Sequence, residues 1–348
     1  MLATICRFDA PSFQKAIFGR SISCAVALSF FLGCMASVRA DDAAAIDALR
    51  INQLQYIGSH NSYHLRPTPS KTVREWNYTH APLEVQLDRG VRSFELDLHY
   101  RDGQFEVFHV PLLDEGTSCR KLADGLAAVR KWSDAHPRHV PISFLFELKS
   151  EGPRLDKRIQ YVDEAGLDQL DQLLSAAFPP ERVISPDTVR GGTTTLREAI
   201  HSVGWPTLAA SRGKVLFVLH DEGKQRELYE ANHPQLKGRV MFVRSNDARD
   251  DAATLILDNP RDPKIPDMAR AGYFIRTRAD ADLLRDPAKE TARRDTAFTS
   301  GAQILSTDFP PGEPDEGDGY TVAFPDHAPA RVNVINGPEN LRGKAVSE

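Results

Sequence analysis

The feature that most constrains this chain is an alternation repeated along its length. Short runs rich in β-branched and aromatic residues recur at 54–58, 93–98, 105–109, 142–148, 214–219, 240–243, 273–276 and 303–306, and they predict eight strands. Amphipathic or charged stretches at 120–135, 167–177, 196–203, 222–231 and 288–299 stand between them and predict helices. Strand and helix in alternation imply parallel strands joined by crossovers. Several runs, "ISFLFEL" above all, are apolar enough to be buried on both faces. Eight such units fit a closed α/β architecture, a (β/α)8 TIM-type barrel. The connection from 151 to 213 has room for an extra helix. After Ser306 an acidic, Pro/Gly-rich stretch at 310–319 reads as a solvated loop, and "YTVAF" and "RVNVIN" predict a short C-terminal β extension. Neither an internal repeat nor a domain boundary is visible.

The first forty residues read differently. Arg7, Lys15 and Arg20 precede an apolar run at 22–35, which ends in Ser37-Val38-Arg39-Ala40. That is the pattern of a cleaved export signal, and the run falls short of the roughly twenty residues that span a bilayer. The expected division is a signal peptide at 1–40 and a single catalytic domain at 41–348, secreted or periplasmic. Phe31-Leu32-Gly33-Cys34 resembles a lipoprotein processing site only loosely, since Phe and Leu fit its first positions poorly. Cleavage would remove Cys6, Cys24 and Cys34 and leave Cys119 alone, so no internal disulfide is expected. The whole chain carries a formal charge of −5, and the leader holds four basic residues and one acidic. The remainder is more acidic still, near about −8, which argues against nucleic acid and against simple attraction to an anionic membrane.

In such a barrel the active site lies at the C-terminal ends of the strands, and polar residues collect there. The first run ends in His60-Asn61, the second holds Glu95 and Asp97, the third ends in His109, and the fourth carries Glu147 and Lys149. Side chains alternate along a strand, so Glu95 and Asp97 share one face, as do Glu147 and Lys149. Three carboxylates in one water-poor mouth repel one another, and a divalent cation relieves this. The donors Asn61, Glu95, Asp97 and Glu147 are all oxygens, which suits calcium with its flexible shell. Magnesium fits less well, and zinc would want His60 or His109 as ligands. The two histidines are otherwise available for proton chemistry of the kind phosphodiester cleavage needs. Glu147 within "FLFELK" would be costly to bury without such a role.

The set "GSHNSYH", "FELDLHY", "FEVFHVP" and "FELK" resembles the calcium-dependent phosphoinositide phospholipases C, particularly their bacterial single-domain branch, with weaker likeness at "FIRTRAD" and "QILSTDFP". The resemblance implies a PI-PLC-like phosphodiesterase barrel that cleaves phosphatidylinositol-type lipids to diacylglycerol and a cyclic inositol phosphate. It implies calcium on Asn61, Glu95, Asp97 and Glu147, His60 at the phosphoryl transition state, His109 protonating the leaving oxygen, and Lys149 against the phosphate. Either Glu95 or His60 takes the hydroxyl proton. The partners implied are a phospholipid and, transiently, a membrane surface, with the protein a monomer. Nothing resembles the pleckstrin-homology, EF-hand or C2 modules of larger relatives, so docking would fall to the barrel.

Two other readings stand beside this one. Glycerophosphodiester phosphodiesterases use similar chemistry, but arginine usually follows their first histidine, where this chain has Asn61. A non-catalytic module binding calcium and a phosphorylated ligand would need the carboxylates without both histidines. Tyr63, His64 and His99 read as structural, and Arg276, Asp280 and Asp308 are explained equally by the mouth and by surface ion pairs.

Overall fold

The computed structural model describes residues 41–68, 74–149, 152–280 and 287–348; the expected export signal at 1–40 lies outside them. Ala43–Glu348 forms one compact unit. Eight parallel strands form its centre: β1 (Leu54–Ser59), β2 (Val91–Arg101), β4 (Ile142–Leu148), β6 (Val215–Leu219), β7 (Met241–Val243), β8 (Thr254–Ile256), β9 (Phe274–Arg278) and β10 (Ile304–Thr307). β10 pairs with β1, so the ring runs β1-β2-β4-β6-β7-β8-β9-β10 and returns. Seven of its seams are ladders. Between β7 and β8 the seam is a single parallel bridge, Arg244 to Thr254, supported by Thr254 Oγ1 donating to the Val243 carbonyl at 2.6 Å.

The run at 105–109 is not a barrel strand. Asp102 and Gly103 both adopt positive φ, 52° and 76°, the geometry of a two-residue hairpin turn. β3 (Gln104–Val107) therefore folds back antiparallel on the end of β2, Leu98 facing Val107 and Arg101 facing Gln104. The eighth barrel strand is β8 instead. Its three residues, no more than β7 has, are too few to carry a period, and the sequence did not reveal it.

The helices fall close to expectation: Leu122–Ala135, Glu164–Ala177, Leu196–Ser202, Lys224–Glu230 and Pro287–Ser300. Local chemistry sets their starts. Asp163 accepts from the Gly166 amide at 2.9 Å, and Thr195 from that of Glu198 at 3.0 Å, each satisfying an orphan donor of a first turn. Phe144 and Phe146 point out of β4 toward this layer and pack with Phe94, Phe178 and Phe217 at centroid separations of 5.5–6.4 Å. Their neighbours Leu145 and Glu147 consequently face the barrel interior.

Of the two closing strands expected, "YTVAF" forms none. β11 (Ala330–Val332) pairs antiparallel with β1 and with β12 (Ala345–Val346). The acidic stretch is also better held than a solvated loop, because Glu313 accepts from Arg89 and the Ala81 amide, both at 2.9 Å, and from His80 at 2.6 Å. At the opposite end of the barrel Glu348 ties β2 to the segment entering β4, accepting from Arg92 at 2.8 Å and from the Val140 amide at 2.7 Å. No helix among the described residues is long and apolar enough to cross a membrane.

Candidate active site at the barrel mouth

β1 ends at Ser59 and the chain turns at once. Asn61 adopts φ 43°, a left-handed conformation that asparagine tolerates better than most residues. Ser62 fastens this turn to β2: its amide donates to the Glu95 carbonyl and its Oγ accepts from the Glu95 amide, both at 2.9 Å. His60 and Asn61 are thus fixed beside the strand that carries the carboxylates. His60 Nδ1 donates to Asp308 Oδ1 at 2.7 Å, which turns Nε2 toward Glu95 Oε1, 3.7 Å away. Burial, then Arg278, push His60 below the ordinary histidine range against the pull of Asp308 and Glu95. Burial would raise Asp308, but Arg278, 3.0 Å away, and His60 outweigh it and keep the group ionised.

Glu95 and Asp97 project to the interior of β2, and the register sets Asp97 directly beside Glu147 of β4. Lys149 Nζ stands 3.0 Å from Asp97 Oδ2 and 2.9 Å from Glu147 Oε1. Arg276 of β9 donates to Glu95, to Asp258 and to Ser306. Burial opposes the charge on Glu95, yet Arg276 and then His60 overcome it and hold the carboxyl well below its usual range. Asp97 behaves oppositely: burial pushes it up to about 7, with Lys149 pulling against the shift and Glu147 adding to it.

These residues fit a divalent cation. Both oxygens of Asp97 are buried without a well-formed hydrogen bond among the described residues, and the Lys149 ammonium 3.0 Å away is shared with Glu147, so the carboxylate is under-compensated for its burial. Three carboxylates against Lys149 and Arg276 leave one net negative charge. A divalent ion would reverse this to one positive, the complement of a phosphodiester. A tighter set of ligand atoms, from His64, His109 and Asp114, lies within 4.8 Å of one another. His64 and Asp114 are sealed from solvent and the three are joined by hydrogen bonds, so we read that set as a relay.

His109 leaves the hairpin with Nδ1 2.8 Å from Asp114 Oδ2, and its charge is felt at Asp97. The structure therefore places His60, Asn61, Glu95, Asp97, His109, Glu147 and Lys149 at one mouth. Four further residues join them. His220 and Asp221 directly follow β6; the buried His220 Nε2 has no partner, and burial pushes Asp221 up to about 7. The strand-end rule that found the others would have found these. Arg278 closes β9 two residues beyond the expected run at 273–276, and Asp114 lies in a loop, so neither was singled out.

Fold and mouth together define a class: (β/α)8 barrel enzymes that gather oxygen donors and histidines for metal-assisted acid–base chemistry. Residues 49–105 and 99–334 match the family described as "Phosphoinositide phospholipase C, Ca2+-dependent", and the chain belongs to that family. It is an enzyme of the calcium-dependent, phospholipase C-like phosphodiesterase type. Its fold is similar to that of a calcium-dependent phosphoinositol-specific phospholipase C from a Gram-negative Pseudomonas species, with TM-score 0.58 and 17% identity over 76% of this chain and 92% of the other. A Ca2+-dependent phosphatidylinositol-specific phospholipase C from Streptomyces antibioticus gives TM-score 0.55 and 20% identity over 75% and 95%. No curated protein sequence matches the chain.

Proposed function

We propose that the protein cleaves phosphatidylinositol-type lipids to diacylglycerol and a cyclic inositol phosphate, the inositol 2-hydroxyl attacking its own phosphate. The observation that carries this reading is the meeting of three carboxylates and Asn61 with two histidines, each backed by its own carboxylate, at one mouth. Calcium on Asn61, Glu95, Asp97 and Glu147 would neutralise the phosphate and acidify the hydroxyl. His60, with Nδ1 committed to Asp308, offers Nε2 to the hydroxyl proton. Arg276 holds Glu95 as a weakly basic carboxylate, which supports His60 over Glu95 in that role. His109 donates to the leaving oxygen, and Lys149 faces the phosphate.

Membrane contact has support in the loops of the mouth. Leu112 and Leu113 are 54% and 52% exposed between His109 and Asp114, and Leu155 and Tyr161 are exposed beyond β4. Apolar docking of a monomer suits a chain of net negative charge. We assign 1–40 to a cleaved export signal and 41–348 to the catalytic domain, acting outside the cytoplasm.

The test is turnover of phosphatidylinositol, phosphatidylcholine, sphingomyelin and glycerophosphodiesters, each with and without calcium, followed by phosphorus NMR. The expected first product is a cyclic phosphodiester from phosphatidylinositol alone. An acyclic monoester appearing first, or cleavage indifferent to the 2-hydroxyl, would overturn the reading.

A further inference from the structure

We propose that Asp114 and His64 are positioning residues for the leaving-group acid, a buried carboxylate and imidazole that fix His109 with Nδ1 inward and Nε2 toward substrate. The inference rests on the acid role assigned to His109 above.

Asp114 Oδ2 lies 2.8 Å from His109 Nδ1 and 2.9 Å from His64 Nε2, so one oxygen serves both rings. Asp114 and His64 are completely buried, whereas His109 is about one-fifth exposed. Burial disfavours the charge on Asp114, but its hydrogen bonds to His109 and His64 outweigh that and lower its pKa. Asp114 is therefore an acceptor. The other nitrogen of His64 lies 3.1 Å from the Tyr78 carbonyl, which can only accept. His64 is thus held between two acceptors, which fixes its ring against Asp114. An unpaired buried carboxylate would be costly; Asp114 Oδ2 has lone pairs enough to accept from both rings.

The backbone keeps the three groups in register. Val110 and Asp114 exchange amide-to-carbonyl hydrogen bonds at 2.9 and 2.8 Å, and the His64 amide donates to the Asn61 carbonyl at 2.8 Å. His64 thereby ties the turn bearing Asn61 to the loop bearing the acid. In the step itself the inositol 2-oxygen bonds to phosphorus and gives its proton to His60, the bond from phosphorus to the leaving oxygen breaks with its electron pair on that oxygen, and the His109 Nε2 proton follows. His109 is left neutral, with Nδ1–H still on Asp114.

The experiment compares phosphatidylinositol, whose alkoxide leaves poorly, with an inositol phosphodiester bearing an aryl leaving group that needs no acid. Asp114→Asn should lower kcat on the lipid by about 10–100-fold with KM within about twofold, and on the aryl ester by less than about threefold. The double variant Asp114→Asn, His109→Ala should be no slower than His109→Ala alone. His64→Leu should impair lipid turnover in the same selective way, and His64→Gln, which keeps a donor to Asp114, should restore most of it. Equal losses on both leaving groups, an additive double variant, or no advantage of Gln over Leu at 64 would overturn the proposal. If Asp114→Asn fails to fold, the two variants at 64 decide it. Wild-type protein inactive on both inositol phosphodiesters would overturn the functional reading as well, an outcome distinct from the others.

Discussion

Asp97 carries its charge where burial opposes it, and that has a measurable price in protons. Its carboxyl is pushed up to about 7, so below that pH a cation must expel a proton to bind. Apparent calcium affinity should therefore fall as pH is lowered through 7, approaching about tenfold per unit; calorimetry in buffers of different ionisation enthalpy would count the proton released. A pH-independent affinity would remove Asp97 from the ligand set. In chelator, the same shift makes the Asp97 contribution to stability decline as pH rises from about 4 to about 7, since the unfolded chain releases this proton first. Glu147→Gln should weaken calcium binding more than Asn61→Ala, because it removes a formal charge. His60→Ala and His109→Ala should each cut turnover by about 10²–10⁴-fold in folded protein; a loss under about tenfold would return either histidine to a structural role. The strand-end residues among these were legible because alternation alone predicts where they point. Of the carboxylates behind the histidines, Asp308 follows β10 directly and was open to the same rule, whereas Asp114 reaches His109 through a loop whose path no period encodes.

Elements were legible where they were long. The longer helices and strands show their periods; of the two three-residue strands, β7 fell within the run at 240–243 and β8 went unread, since so short a run carries no period of its own. The hairpin was misread for a different reason: the run after Asp102-Gly103 has the composition of a barrel strand, and only the turn says that it reverses. That reversal is what carries His109 back over β2. Gly103→Val should cost about 1 kcal/mol or more, because a β-branched residue is strained at φ 76°, and it should lower turnover beyond its effect on stability. The loop that follows presents Leu112 and Leu113 to solvent. Replacing both with Asp should reduce sedimentation with neutral phospholipid vesicles by about tenfold or more while turnover of a soluble inositol phosphodiester persists. Unchanged vesicle binding would place the docking surface elsewhere.

At the scale of the whole molecule, the candidate ligands occupy one arc. β1, β2 and β4, joined by ladders of which the first shifts register between Ile57 and Gly58, supply or adjoin all four oxygen donors, and Glu348 clamps β2 and the approach to β4 from below. Deleting Glu348 would leave the buried Arg92 without its carboxylate, and the protein should lose about 1–3 kcal/mol, read as a fall of several degrees in Tm with little change in turnover at low temperature. Across the ring from this arc lies the seam between β7 and β8, held by a single bridge. Backbone amides there should exchange with deuterium sooner than those of β2 and β4. A barrel fastened firmly on one side and lightly on the other separates two evolutionary demands: the rim around Arg244 and Asp258 is free to change shape while the arc carrying the candidate metal ligands is inherited intact.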